Sequence, residues 1–272
     1  MISQQTYAIF KTGSVTYFNS SLFFPKEIKK DVFALYAFVR KADDFVDKVP
    51  ADSQGFFSYK KAYQKANKGI RVNDKTITDF VSLKKKSKFE EKWIDAFLAA
   101  MESDLNHTHS KSLKQSLEYM YGSAEVIGLM MARILDLPDK AQMSARMLGR
   151  SMQYANFIRD IAEDYELGRN YFPATDMRKF KLKDLSEKTA RSNPKQFKKF
   201  LQHQIKNYST WQAEAETGFS YIPYRVLIQI KTASDMYKWT IKQIKEDPFV
   251  VYKRKVKPNK LRVFSQIIRN LV

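Results

Sequence analysis

Long runs of unbroken helical periodicity restrict this chain's choice of fold more than anything else in it. Only eight glycines and eight prolines occur in 272 residues. They fall mostly at the ends of apolar-periodic segments, where a helix tolerates them. Ile28, Val32, Leu35, Val39 and Val46 keep helical spacing behind Pro25, a residue suited to a first helical turn. Two or three shorter helices are expected over 54–106, carried by Phe57, Tyr63, Ile77, Phe80, Trp93 and Phe97. Residues 111–137 are apolar nearly all round, which marks a buried helix, and Gly122 and Gly128 would let a neighbour come close. Pro138 opens a helix expected to reach about Leu167, with Gly168 placed to stop it. Two more are expected over 195–217 and 223–246, beyond a boundary at Pro194. No repeat and no low-complexity linker divides the chain. The expectation is therefore all-α, with one domain over residues 1–272 and enough apolar content, 44%, to bury a sizeable core.

Two acidic clusters lie inside these helical segments. Asp160 and Asp164 are four residues apart beside Glu163, so they share a helix face and repel unless something positive sits between them. Arg159 and Arg169 flank them, and Asn156 lies one turn earlier on the same face. Asp43, Asp44 and Asp47 repeat the pattern, with Arg40 one turn before. Oxygen ligands grouped this way suit Mg²⁺, which is usually held by a few carboxylates plus substrate phosphates. Either cluster alone also fits a solvated helix with ordinary surface acids. The two together suggest carboxylate walls around a diphosphate.

The blocks YAFVRKADDFVD (Tyr36–Asp47) and QYANFIRDIAEDYELGRNYFP (Gln153–Pro173), in that order, resemble the two aspartate motifs of the squalene/phytoene synthase family, the head-to-head prenyl-diphosphate synthases. The resemblance spans nearly the whole chain. It implies a single helical bundle around a central cavity, the two acidic helices facing each other at its mouth and apolar walls for prenyl tails deeper in. It implies Asp43, Asp47, Asn156, Asp160 and Asp164 around Mg²⁺. Ser14, Thr16, Tyr36, Arg40, Gln153, Arg159 and Tyr237 would meet the substrate. A tyrosine near the reacting carbons is carried first to Tyr121, with Tyr36 and Arg40 beside the chemistry, while a core tyrosine is the plain alternative. The basic stretch at 250–258 resembles the family's element near the diphosphates. Glu125 departs from the commoner pattern, which has glycine after the alanine, and a carboxylate in an apolar helix is costly unless paired.

The implied reaction joins two identical prenyl diphosphates 1-1′ through a cyclopropylmethyl diphosphate. Small or polar Asn19, Ser20 and Ser21 stand where some C30-forming relatives are bulkier. That favours two geranylgeranyl diphosphates giving phytoene over a C30 synthase using farnesyl diphosphate (squalene, dehydrosqualene or hydroxysqualene). NADPH enters only if squalene is the product.

The formal net charge is +19, which suits an anionic substrate, an anionic membrane face or nucleic acid. No nucleic-acid module accompanies the lysine runs, so no nucleic-acid partner is expected. A nucleic-acid-binding helical protein and a non-catalytic scaffold remain the readings from other classes. There is no cysteine, hence no disulfide frame or thiolate site, and His107, His109 and His203 form no ligand set. No run reaches the length of a membrane span, no signal peptide is evident, and the end LRVFSQIIRNLV is too short to anchor. A cytoplasmic protein, peripheral at the membrane face, is expected.

Overall fold

We describe the fold from a computed structural model, covering residues 4–13, 15–106 and 109–271, with the backbone alone at 15–17. Among these residues there is no strand; an isolated bridge pairs His109 with Asn170. The chain opens with α1 (Gln4–Gly13), α2 (Val15–Ser21) and the long α3 (Lys26–Val46). Pro25 stands as N-cap of α3, as its fixed φ favours. Then come α4 (Ser53–Asn67), α5 (Lys75–Ser87) and α6 (Glu91–Asp104), the three shorter helices expected. Asp52 and Asp74 accept the free N–H groups at the starts of α4 and α5, which satisfies donors the helix itself cannot.

The buried stretch forms α7 (Leu113–Met120), a π-helical turn at Tyr121–Glu125 and α8 (Val126–Ile134). Both glycines work as expected. A Cβ on Gly122 would stand 2.3 Å from Ala96 O, and one on Gly128 2.1 Å from Ala145 O. Backbones therefore meet directly there, against α6 and against the helix that follows.

That helix differs from expectation. It begins after a 3-10 turn as α9 (Gln142–Arg159) and breaks at Asp160, φ −99° and ψ 16°, before α10 (Ile161–Glu166). Neighbours on a regular helix diverge; the break lets Arg159 reach the carboxylate beside it. Gly168, at φ 67°, ends the segment in the conformation glycine adopts without strain. The rest is α11 (Ala174–Lys179), α12 (Glu187–Ser192), α13 (Pro194–Glu216), α14 (Tyr224–Glu246), α15 (Val250–Lys253) and α16 (Lys260–Leu271). Pro194 sits at the first turn of α13, as its position predicts.

Two large apolar clusters make most of the core, with a small third one of Ile228, Met236, Val263 and Ile267 between α14 and α16. One is built on α3 to α6 and α8, with Phe33, Phe38, Phe80 and Trp93 all but inaccessible; the other gathers Tyr154, Phe157, Phe197 and Phe200 from α9 and α13. Each such side chain contributes roughly 1.5–3 kcal/mol on burial. α14 joins the clusters, placing Val226 in the first and Ala233, Tyr237 and Ile241 in the second. A cavity runs between them.

Candidate active site

The cavity holds about 1390 Å³, above the ~300–1,000 Å³ of an ordinary ligand pocket, so it has room for two long substrates. One end is polar and the other apolar. Asp43 and Asp47 on α3 and Asn156, Asp160 and Asp164 on α9 and α10 all line it, as do Tyr36, Arg40, Gln153, Arg159 and Tyr237. Residues more than a hundred positions apart thus share one polar mouth.

The acids there are held by the chain's own cations. Arg159 donates from Nε to Asp160 Oδ1 at 2.8 Å and from Nη2 to Oδ2 at 2.5 Å. Burial opposes the Arg159 charge, but the Asp160 hydrogen bonds and charge outweigh it and raise its pKa. Lys255 stands 3.4 Å from Asp160 Oδ1 and also pairs with Glu163. Lys257 joins the lining, its pKa lowered by burial and then by Lys255 and Arg159. The basic stretch therefore faces the second acidic block across the mouth. Arg40 pairs with Asp44 at 2.7 Å, one turn along α3. Arg169 is a clasp: it donates to Asp47 Oδ1 at 2.8 Å and to Val46 O at 2.6 Å, tying the end of α3 to the second block.

Two acids keep a raised pKa although Arg40 acts on one and Arg169 on the other. Burial, then the charge of Asp47, lifts Asp43 to about 8; burial, then Asp160, lifts Asp164 to about 8 as well. Asn156 gives its Nδ2 hydrogen to Gln153 Oε1 at 3.2 Å, while its buried Oδ1 has no partner. Two buried carboxyl groups with raised pKa and an orphaned amide oxygen fit a hard cation. Among the described residues no three carboxylates or imidazoles converge closely enough to chelate an ion alone, so any ion here needs further oxygens, such as those of a diphosphate.

Tyr119, Phe157 and Tyr171 form an aromatic floor, with Tyr171 stacked on Phe157 at 4.5 Å and tilted by 33° against Tyr119 at 4.7 Å. Asp104, at the end of α6, accepts from Tyr119 Oη at 2.7 Å and from Tyr171 Oη at 2.9 Å. All four line the cavity. Asp104 carries no sequence signal: it lies in a segment without a motif, and only the packing of α6 against the π turn after α7 brings it here.

Three sequence expectations fall elsewhere. Tyr121 is outside the cavity lining; its ring faces Arg146, 5.4 Å from the guanidinium carbon. Tyr119 faces the cavity instead, because residues two apart on a helix point to opposite sides. Asn19 is buried but not in the lining, whereas Ser20 and Ser21 are. Ser14 and the side chain of Thr16 lie outside the described residues, as does His107. Glu125, fully buried, turns from the cavity to α9, where Arg146 meets Oε2 at 2.9 Å and Arg150 meets Oε1 at 2.7 Å. Its pairing is complete.

The chain is also similar to known proteins. The profile of the family described as Squalene/phytoene synthase matches residues 10–262. The chain is similar to the 15-cis-phytoene synthase of Enterobacter agglomerans, 27% identical over 241 residues, covering 84% of this chain and 81% of that one. It is also similar to the phytoene synthase of Thermus thermophilus, 30% identical over 171 residues, 61% of this chain and 57% of the other. In fold it matches the crystal structure of a dehydrosqualene synthase with TM-score 0.79 at 21% identity, covering 98% and 94% of the two chains.

Proposed function

Because this chain belongs to the squalene/phytoene synthase family and is a prenyltransferase of the head-to-head type, we propose that it condenses two geranylgeranyl diphosphates to phytoene. The observation that carries the choice of substrate is the wall at Ser20 and Ser21. Both are buried and line the cavity, and Ser21 turns its hydroxyl back to Phe18 O at 2.9 Å, leaving space toward the tail region. Each further CH₂ that finds apolar burial contributes ~0.8 kcal/mol.

At the mouth, Arg40, Arg159, Lys255 and Lys257 hold the diphosphates, with Tyr36, Gln153 and Tyr237 around them. Asp43, Asp47, Asn156, Asp160 and Asp164 would hold Mg²⁺, which would neutralise the leaving group. Ionisation of the first substrate leaves an allylic cation over Tyr119, Phe157 and Tyr171, whose faces stabilise positive charge. The second substrate attacks through its double bond and loses a proton as the cyclopropane ring closes; the cyclopropylmethyl diphosphate then ionises, rearranges and loses a second proton to give the 1-1′ product, both diphosphates having left. Apolar walls such as Leu35, Ile127 and Met152 keep water from the cations. The role first read onto Tyr121 belongs in this scheme to Tyr119.

Incubation with C15 or C20 diphosphate and Mg²⁺, with and without NADPH, followed by product identification, tests the reading. Phytoene from the C20 substrate without NADPH is expected. Ser21→Phe should lower kcat/KM on the C20 substrate by about fivefold or more, since overpacking costs roughly 1–3 kcal/mol, and spare the C15 substrate. A wild-type preference for C15 would replace phytoene with a C30 product and leave the head-to-head chemistry standing.

A further inference from the structure

The last helix, α16, buries one edge and leaves another bare. Val263 and Ile267 are covered, while Leu261, Phe264, Ile268 and Leu271 are 81%, 39%, 63% and 53% exposed. These four recur at three- and four-residue spacing, so they form one outward stripe. The helix is fixed in this orientation by its inner edge. Gln266 and Asn270 donate to Asp235 Oδ2 on α14 at 2.8 and 3.1 Å. Neighbouring elements extend the stripe. Phe23, 47% exposed, sets its ring edge-on to Phe264 at 6.1 Å. Tyr224, 59% exposed, donates to Leu271 O at 2.9 Å. A contiguous apolar face of this kind marks an interaction surface, whereas hydrophobic residues exposed singly do not.

The charge around the stripe points to one kind of partner. α16 contains no acid. Lys260, Arg262 and Arg269 are exposed on it, as is Arg225 next to Tyr224, and none forms an ion pair among the described residues. Arg262 lies over the ring of Trp239, 4.5 Å from its centroid, which holds the cation beside the stripe. Apolar side chains on one face, cations along its edge and an aromatic pair beside them make an interfacial helix. The stripe also backs onto the tail region. Gln229, in the cavity lining, donates to Phe23 O at 2.9 Å, and Phe24 lines the cavity itself.

We infer that the outer face of α16, with Phe23 and Tyr224, docks on an anionic phospholipid bilayer. It sets the apolar end of the cavity against the phase in which long prenyl chains dissolve. Sedimentation of the full chain with extruded vesicles tests this without any substrate, so the result is independent of which prenyl diphosphate is used. The wild type should bind vesicles of equal phosphatidylglycerol and phosphatidylcholine, and bind phosphatidylcholine alone far more weakly. Leu261→Glu and Ile268→Glu should each reduce partitioning at least about tenfold, the worth of one buried aliphatic side chain, with an unchanged far-UV spectrum. Leu261→Ser should fall between them and wild type, and serves should a glutamate disturb the helix. Wild-type binding by all three variants overturns the proposal, as does failure of the wild type to bind anionic vesicles or equal binding to neutral ones. A lipid-free dimer that Ile268→Glu converts to monomer also overturns it, and gives the stripe to a second copy.

Discussion

Asp43 and Asp164 pay in stability for the site they build. Asp43 is lifted from 3.8 to about 8, so the folded chain holds a proton there that the unfolded chain has released. Stability from this group is therefore greatest below pH 3.8 and is lost as pH rises toward about 8. Asp43→Asn should melt about 2 °C or more above wild type at pH 8 without Mg²⁺, and show little advantage near pH 4. Scanning calorimetry at the two pH values checks this; an equal gain at both would mean burial of the carboxyl is not the cause. The same variant should lose turnover. The two tyrosines of α7 and its π turn separate as cleanly. Tyr119→Phe leaves buried Asp104 short of one donor, a loss of ~1–3 kcal/mol, and should lower kcat about tenfold or more. Tyr121→Phe should stay within about twofold, since Tyr121 is outside the cavity lining. Steady-state kinetics on the two variants decides the assignment, and a reversed order would restore Tyr121.

The seam between the π turn and α9 rests on Glu125. Its carboxylate is fully buried and takes guanidinium groups from Arg146 and Arg150, one turn apart on α9. Removing one member of a buried ion cluster leaves charge unpaired and costs roughly 3–5 kcal/mol. Both arginines keep some exposure, 31% and 16%, so the low end applies. Glu125→Ala should lower Tm by about 6 °C or more, read by circular dichroism. Glu125→Gln should recover part of the loss through its remaining acceptor oxygen. A Tm within about 1 °C of wild type in the alanine variant would show the cluster to be solvated. The sequence marked Glu125 as a group needing a partner, but its partners lie more than twenty residues away, and nothing in their spacing names them. The same limit hid Asp104 and the break at Asp160. Helical period tells which residues share a face; it does not tell which face meets which neighbour.

At the level of the whole molecule, α14 runs through both core clusters, and Arg169 clasps the two acidic segments. We therefore expect one cooperative unfolding unit. Trp93 reports on the first cluster, while Trp211 and Trp239 pack on the second. Urea transitions of Trp211→Phe/Trp239→Phe followed by fluorescence, and of wild type by far-UV circular dichroism, should share one midpoint after correction for the variant's stability. Two separated midpoints would divide the chain into two units. By itself the sequence determined the helical class, most helix ends, the two acidic blocks with their arginines, and through them the family. These are local properties, set by propensity, by glycine and proline, and by residues four apart on one turn. Tertiary structure alone decided that Tyr119 and not Tyr121 meets the cavity, that Asp104 and Lys255 join the mouth, that Glu125 is paired, and that α16 presents an apolar stripe to the outside. Each depends on how helices far apart in the chain cross, and the energy that selects a crossing is spread over side chains from every helix involved.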